Sequence, residues 1–141
     1  KNHDSMVLHV SYGDTSALLE GDAEKAVERR IATLHPEHAD LLKVGHHGSA
    51  TSTTPEILAA TKPSFAVISV GFHTSYGLPK PDVLSRLEAA GIHVYRTDLD
   101  GLVTFYLDGH SVNAITPQQT KNYVEDSKMN RLAGTQLLAA P

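Results

Sequence analysis

A chain of 141 residues with a formal charge of −4 is long enough to bury a core as one domain, or part of one, and has no basic block to grip a phosphate backbone non-specifically. It contains no cysteine, which excludes a disulfide framework and any thiolate metal site and leaves imidazole and carboxylate, ligands that suit zinc or manganese. No stretch approaches the ~20 apolar residues of a membrane span, and Lys1-Asn2-His3-Asp4 resembles neither a signal peptide nor an initiator start, so the sequence reads as a piece of something longer.

The alternation around Val7 and His9 in SMVLHVSY, residues 5–12, predicts a half-buried strand. GDT then turns the chain into SALLEGD, where Ala17-Leu18-Leu19 predicts the second strand of a hairpin ending at Asp22. Ala23, Ala26, Val27 and Ile31 recur at helical spacing, with Glu24, Lys25, Glu28, Arg29 and Arg30 on the opposite face, which predicts a helix over 23–34. ADLLKVG predicts a short buried strand and TPEILAAT a short helix opened by Pro55. The β-branched and aromatic run SFAVISVG predicts a strand inside a sheet covered on both faces. PDVLSRLEAAG predicts a helix stopped at Gly91, and IHVYRT and GLVTFYLDG return to strand with a turn over 98–101. Alternating strands and helices argue for a layered α/β domain over 1–115. The polar tail, 116–141, is expected to be helical near 118–127 and 132–138 or partly disordered.

Chemistry is expected where EGD (20–22) and GHHGS (45–49) follow apolar strands, because strand ends on one edge of a sheet converge to form a site. Asp22 with His46 and His47 could hold a divalent ion, which lowers the pKa of its bound water toward ~7. Gly45 and Gly48 would let the backbone bend and a substrate approach, and Ser49, Thr51, Ser52 and Thr53 could donate to phosphate oxygens. The same residues also read as an exposed histidine turn and an aspartate helix cap. His35 and His38 straddle Pro36 in a loop with no rigid face, which favours solvated side chains over a ligand pair. His9, His93 and His110 sit singly in or beside strands, whereas His73 follows a buried strand and could reach the site edge. Tyr76 and Lys80 offer a phenol and an ammonium near that edge, either able to steady phosphoryl charge, or simply a proline-stiffened loop.

Taken in order, NHDSMVLHVSYGDTSALLEGD, ADLLKVGHHGSATS, KPSFAVISVG, YGLPKP and AAGIHVYRTDLDG resemble the C-terminal half of the metallo-β-lactamase-like domain of ComEC-type DNA internalization and competence proteins, over residues 2–105. The resemblance implies a four-layer αββα sandwich whose strand-end loops hold one or two zinc or manganese ions for hydrolysis of a phosphodiester. It also implies a parent membrane channel that imports single-stranded DNA, with this domain on the extracytoplasmic face of the cytoplasmic membrane, degrading the strand left outside without sequence preference. By position, Asp22 matches the metal-bridging aspartate and His46 and His47 the His-His-Gly-Ser element, so these three carry the implied catalytic and metal roles. Asn2 and Ser5 match the Asn-x-x-Ser run placed near substrate, and Ser49, Tyr76 and Lys80 complete the expected substrate contacts.

The chain departs from that pattern twice. YGLPKP stands where the family commonly has YGHPHP, so Leu78 and Lys80 replace two imidazoles. The superfamily's His-x-His-x-Asp-His motif is absent from these residues, and EHAD at 37–40 is no substitute, because Leu41 and Leu42 follow where ligands are needed. The sequence therefore also admits a non-catalytic interaction module built on an eroded site, or a hydrolase of another small substrate on the same fold.

Overall fold

The computed structural model describes residues 4–72 and 74–119. Five strands form a mixed sheet in the order β1-β2-β3-β4-β5: Leu8–Tyr12, Thr15–Leu19, Leu41–Lys43, Phe65–Ile68 and His93–Arg96. β1 and β2 are an antiparallel hairpin, with Leu8 opposite Leu19 and Tyr12 opposite Thr15, and the remaining neighbours are parallel. Each parallel step is made by a helix: α1 Lys25–Leu34, α2 Pro55–Thr61 and α3 Pro81–Ala89. α2 starts where Pro55 sits at the first position and the Thr54 side chain accepts from the Ile57 N–H, so the proline's missing donor is not needed. A second sheet pairs β6 (Thr104–Leu107) with β7 (Val112–Ile115), and the short α4 (Thr97–Asp100) precedes it.

The core lies between one face of the large sheet and the helices. Leu18, Leu42, Ala66 and Ile68 from β2, β3 and β4 meet Ile57 and Leu58 of α2 and Val83 and Leu87 of α3. On the other face, Phe105 of β6 packs edge-on against Phe65 and Tyr95, with ring centroids 6.2 and 5.4 Å apart. The architecture is thus α/β, a mixed sheet with flanking helices, as the alternation of patterns implies.

Several local expectations differ from the structure. β1 is exposed at all five positions, not half-buried, because it is the edge strand and its Leu8, Val10 and Tyr12 meet no covering layer among the described residues. α1 begins two residues late and is rotated from its charge pattern: Ala26 is exposed while Glu28 is fully buried, since two backbone N–H groups await its carboxylate. β4 is buried only at Ala66 and Ile68 and half-buried at Phe65 and Val67. The expected turn over 98–101 is the helical turn α4, and β7 has no counterpart in the sequence reading. Most of the tail, the two tail helices among it, lies outside the described residues.

Candidate active site at the strand ends

Three parallel strands end on one edge of the sheet, and the candidate residues hang from those ends. β2 runs into Glu20-Gly21-Asp22, β3 into a 3-10 turn over Gly45–Gly48, and β4 into the loop that follows Ile68. The His46 N–H donates to the Gly21 carbonyl at 3.0 Å, which locks the second loop onto the first.

Within the turn His46 (φ 46°, ψ 43°) and His47 (φ 56°, ψ 25°) are consecutive left-handed residues, a backbone that disfavours any side chain and persists only where its surroundings over-determine it. The two rings consequently diverge, their centroids 6.5 Å apart. His47 Nδ1 donates to the Ser69 carbonyl at 2.7 Å, because a carbonyl can only accept, and its Nε2 lies 3.6 Å from Asp22 Oδ1. His46 faces the other way, its Nδ1 3.4 Å from both Glu24 Oε1 and Thr51 Oγ1. The expected trio therefore separates into an Asp22–His47 pair and a His46–Glu24 pair.

The turn is held from below by buried groups. Glu20 Oε2 accepts from the Gly45 N–H at 3.0 Å, and Ser52 Oγ donates to the carbonyls of Gly45 (2.8 Å) and Ser49 (3.0 Å). Glu28 accepts from the N–H groups of Thr53 and Thr54, and the Arg86 guanidinium donates to the Ser52 carbonyl at 3.0 Å. Burial pushes the Glu20 carboxyl up to about 8, helped by the neighbouring charge of Glu28 and opposed by the Gly45 hydrogen bond and by Lys43. That shift favours the neutral acid at pH 7, and the second oxygen, Oε1, is buried without a hydrogen-bond partner among the described residues. Burial raises Glu28 as well, against the pull of its two N–H donors and of Arg86. Lys43, half-buried beside Asp22 and Glu20, is lowered by burial and pulled back up by those two carboxyls.

Other expected contacts are distributed unevenly. Ser5 lies against the Gly21 turn, next to Asp22. Ser49 is half-buried, within 3.0 Å of the Thr51 hydroxyl, so both remain on the His46 side. Ser52 and Thr53 are fully buried and already bonded within the turn, so they cannot reach phosphate as expected. Tyr76 and Lys80 belong to the loop after β4: Lys80 Nζ donates to the Tyr76 carbonyl at 2.9 Å, and the Lys80 N–H donates to the Gly48 carbonyl at 2.8 Å. His47, Ser69, Thr74, Tyr76 and Leu78 line one cavity of about 430 Å³. Asp22 is not the helix cap, a position that Glu24 takes without its side chain bonding the helix N-terminus. His38 pairs with Asp40 at 3.0 Å, and His9 reaches the His38 carbonyl at 2.9 Å, so that loop is internally bonded. Asn2 and His73 lie outside the described residues.

Tetrahedral zinc bonded at 2.0–2.2 Å sets neighbouring ligand atoms about 3.4 Å apart, so the 3.6 Å between Asp22 Oδ1 and His47 Nε2 suits two ligands of one ion. A histidine whose other ring nitrogen is fixed by a carbonyl is also the usual supporting arrangement of a metal ligand. Among the described residues no group of three or more His, Asp or Glu side chains is gathered closely enough to enclose an ion. The pair fits one edge of a coordination sphere.

Sequence comparison bears on what such a rim belongs to. The chain is 41% identical over 106 residues to ComE operon protein 3 of Bacillus subtilis, a match that covers 74% of this chain and 14% of that protein. It is 36% identical over 115 residues to Competence protein ComA of Neisseria gonorrhoeae, covering 80% of this chain and 17% of that protein. It is 38% identical over 102 residues to Recombination protein 2 of Haemophilus influenzae, covering 72% and 13%. This chain is a homologue of competence proteins. It spans about one seventh of the length of the curated relatives it matches. No family model matches it.

Sequence reasoning missed Glu20, Glu24 and Glu28. Glu20 carries a signal in retrospect, since a glutamate inside the apolar run ALLEG is costly to bury unless something there receives it. Glu24 and Glu28 carry none, because both fit a solvated helix face.

Proposed function

We propose that this competence-protein homologue carries part of a metal-dependent phosphodiesterase site of metallo-β-lactamase type, the second half of an αββα sandwich. In a longer parent associated with DNA uptake it would degrade the single strand that is not imported, without sequence preference, next to the membrane channel. Among the described residues no helix is long and apolar enough to cross a membrane. The observation that carries the reading is the Asp22–His47 pair, 3.6 Å apart with the second histidine nitrogen tied to Ser69.

In this reading Asp22 and His47 Nε2 hold the ion, zinc or manganese, with further ligands from outside the described residues. The ion supplies Lewis-acid stabilisation of phosphoryl charge and activation of water. Asp22 orients the nucleophile for in-line attack. His46 is the proton donor to the leaving oxygen through Nε2, its ring oriented by Nδ1 facing Glu24. Lys80, and the hydroxyls of Ser5, Ser49 and Tyr76, supply donors to phosphate around this rim.

The test is metal analysis of the purified chain together with zinc- or manganese-stimulated cleavage of single-stranded DNA, beside an Asp22→Ala variant. Weak metal binding and weak cleavage by these 141 residues, lost in the variant and raised when the chain is extended upstream, are expected, because this chain supplies only part of the ligand set; equal activity with and without the upstream residues would count against the reading. No bound metal and no difference between the two proteins would leave the second reading, a non-catalytic interaction module. That reading is favoured by Leu78, an apolar wall of the cavity at His47.

A further inference from the structure

Beyond the strand ends, RTDLD (96–100) closes a turn against the loop that carries Ser69. β4 and β5 stay paired as far as Ile68 opposite Arg96, and their ladder stops there. One residue further on, the Thr97 side chain stands in for the missing backbone partners. Its Oγ1 accepts from the Val70 N–H at 2.8 Å and, as a donor, has the Val70 carbonyl at 2.8 Å and the Ile68 carbonyl at 3.4 Å. The hydroxyl works in both directions at once, which a serine reproduces and a valine cannot.

The Val70 N–H belongs to the same planar peptide group as the Ser69 carbonyl, and the two point opposite ways. Thr97 thus holds one end of that plane, while the His47 Nδ1–H, 2.7 Å from the Ser69 oxygen, takes the other. Fixing the N–H fixes where the carbonyl aims, and bonds linked in such a chain polarise one another.

That aim matters because two acceptors compete for the single ring proton of a neutral His47. The Ser69 oxygen draws it to Nδ1, whereas Asp22 Oδ1, 3.6 Å from Nε2, draws it to Nε2. Only the first outcome leaves Nε2 with a bare lone pair. Thr97 is itself braced for the task. The Arg96 N–H donates to Asp100 Oδ2 at 2.7 Å, and the Arg96 guanidinium donates to both oxygens of Asp98 at 3.1 and 2.6 Å, which closes the turn around it.

We propose that Thr97 is a positioning residue for His47: through the Ser69–Val70 peptide it keeps the ring proton on Nδ1 and leaves Nε2 free to take an ion beside Asp22. That an ion is what Nε2 takes rests on the phosphodiesterase reading; the control of the ring by Thr97 is carried by the hydrogen bonds alone.

The experiment reads the ring nitrogens of His47 by long-range proton–nitrogen correlation spectra of the full 141-residue chain, labelled with nitrogen-15. It is run about two pH units above the ordinary imidazole value of ~6.5, where the ring is neutral. Wild type is expected to show the Nδ1–H form and a slowly exchanging Val70 amide. Thr97→Val, which keeps the shape and loses the hydroxyl, should move the ratio of the two ring forms about fivefold or more toward Nε2–H and expose the Val70 amide to exchange. Thr97→Ser should behave like wild type in both respects. A merely structural role would lower stability without moving the ring proton. An Nε2–H ring or a fast Val70 amide in wild type would overturn the assignment, and neither observation requires a variant to fold. So would a valine variant with the wild-type ratio, or a serine variant that behaves like valine.

Zinc is then added to wild type and to Thr97→Val. The His47 Nε2 signal is expected to shift in wild type and to need about tenfold more zinc in the variant, and equal zinc requirements would overturn the positioning role. If zinc leaves His47 unmoved in wild type while the ring proton still answers to Thr97, the phosphodiesterase reading fails and the control of the ring by Thr97 stands.

Discussion

The Nδ1–H of His47 goes to a backbone carbonyl, and that single bond fixes which ring nitrogen meets Asp22. Beneath it, Glu20 is a protonated acid in a dry place, accepting from Gly45 while its second oxygen is buried. Its folded-state value of about 8 stands above the ordinary 4.5, so between those two pH values the unfolded chain binds fewer protons and stability falls as pH rises. The contribution is fully present below 4.5 and lost through about 8, with a slope of up to ~1.4 kcal/mol per pH unit from this one group. Glu20→Gln keeps the acceptor for Gly45 and removes the proton. Urea unfolding across pH 5–9 should show the variant gaining on wild type from about pH 5 to about 8 and levelling off above; parallel pH profiles would refute a neutral Glu20.

At the scale of elements, the rim depends on one loop being pressed against another. Gly48 has φ +78°, and a side chain there would drive its Cβ to 2.5 Å from Pro79. Gly48→Ala is expected to destabilise the chain by about 1–3 kcal/mol, from left-handed strain together with displacement of the Tyr76–Lys80 loop. The check is a thermal melt read together with manganese affinity, and unchanged values of both would show that the two loops are not seated on each other. The order of strands and helices was legible in the residues because buried apolar runs alternate with amphipathic ones. What was not legible has particular causes. Glu28 looks outward by charge pattern, and only tertiary structure shows that the N–H groups of Thr53 and Thr54 wait for it. VNAI, which forms β7, is short and only weakly apolar, so no periodicity marks it. SMVLHVSY alternates as a half-buried strand does, yet its place at the sheet edge leaves it uncovered. GHHG flagged the site, but two identical neighbours cannot say which one turns toward Asp22; the backbone angles decide that.

For the molecule as a whole, the large sheet is covered by helices on one face and by the β6–β7 sheet, through Phe105, on part of the other. The two hairpins also touch, with the Asp14 N–H donating to the Gly109 carbonyl at 2.8 Å. Leu8, Val10 and Tyr12 of β1 remain exposed, and the relatives run roughly seven times the aligned length. In the phosphodiesterase reading, an ion at Asp22 and His47 would need four or more ligands, of which this rim would supply two. A version of the protein extended upstream is therefore expected to bind manganese at least about tenfold more tightly than these 141 residues. Calorimetric titration of both decides it, and equal affinities would mean that the missing ligands do not lie upstream.

One further consequence follows from the two consecutive left-handed residues. Because the chain coils back on itself there, the adjacent imidazoles take different partners, His47 meeting Ser69 and Asp22 and His46 meeting Glu24 and Thr51. Shortening the doublet to one histidine would leave one of those two carboxylates, Asp22 or Glu24, without its imidazole neighbour, so the repeated letter is not a structural redundancy.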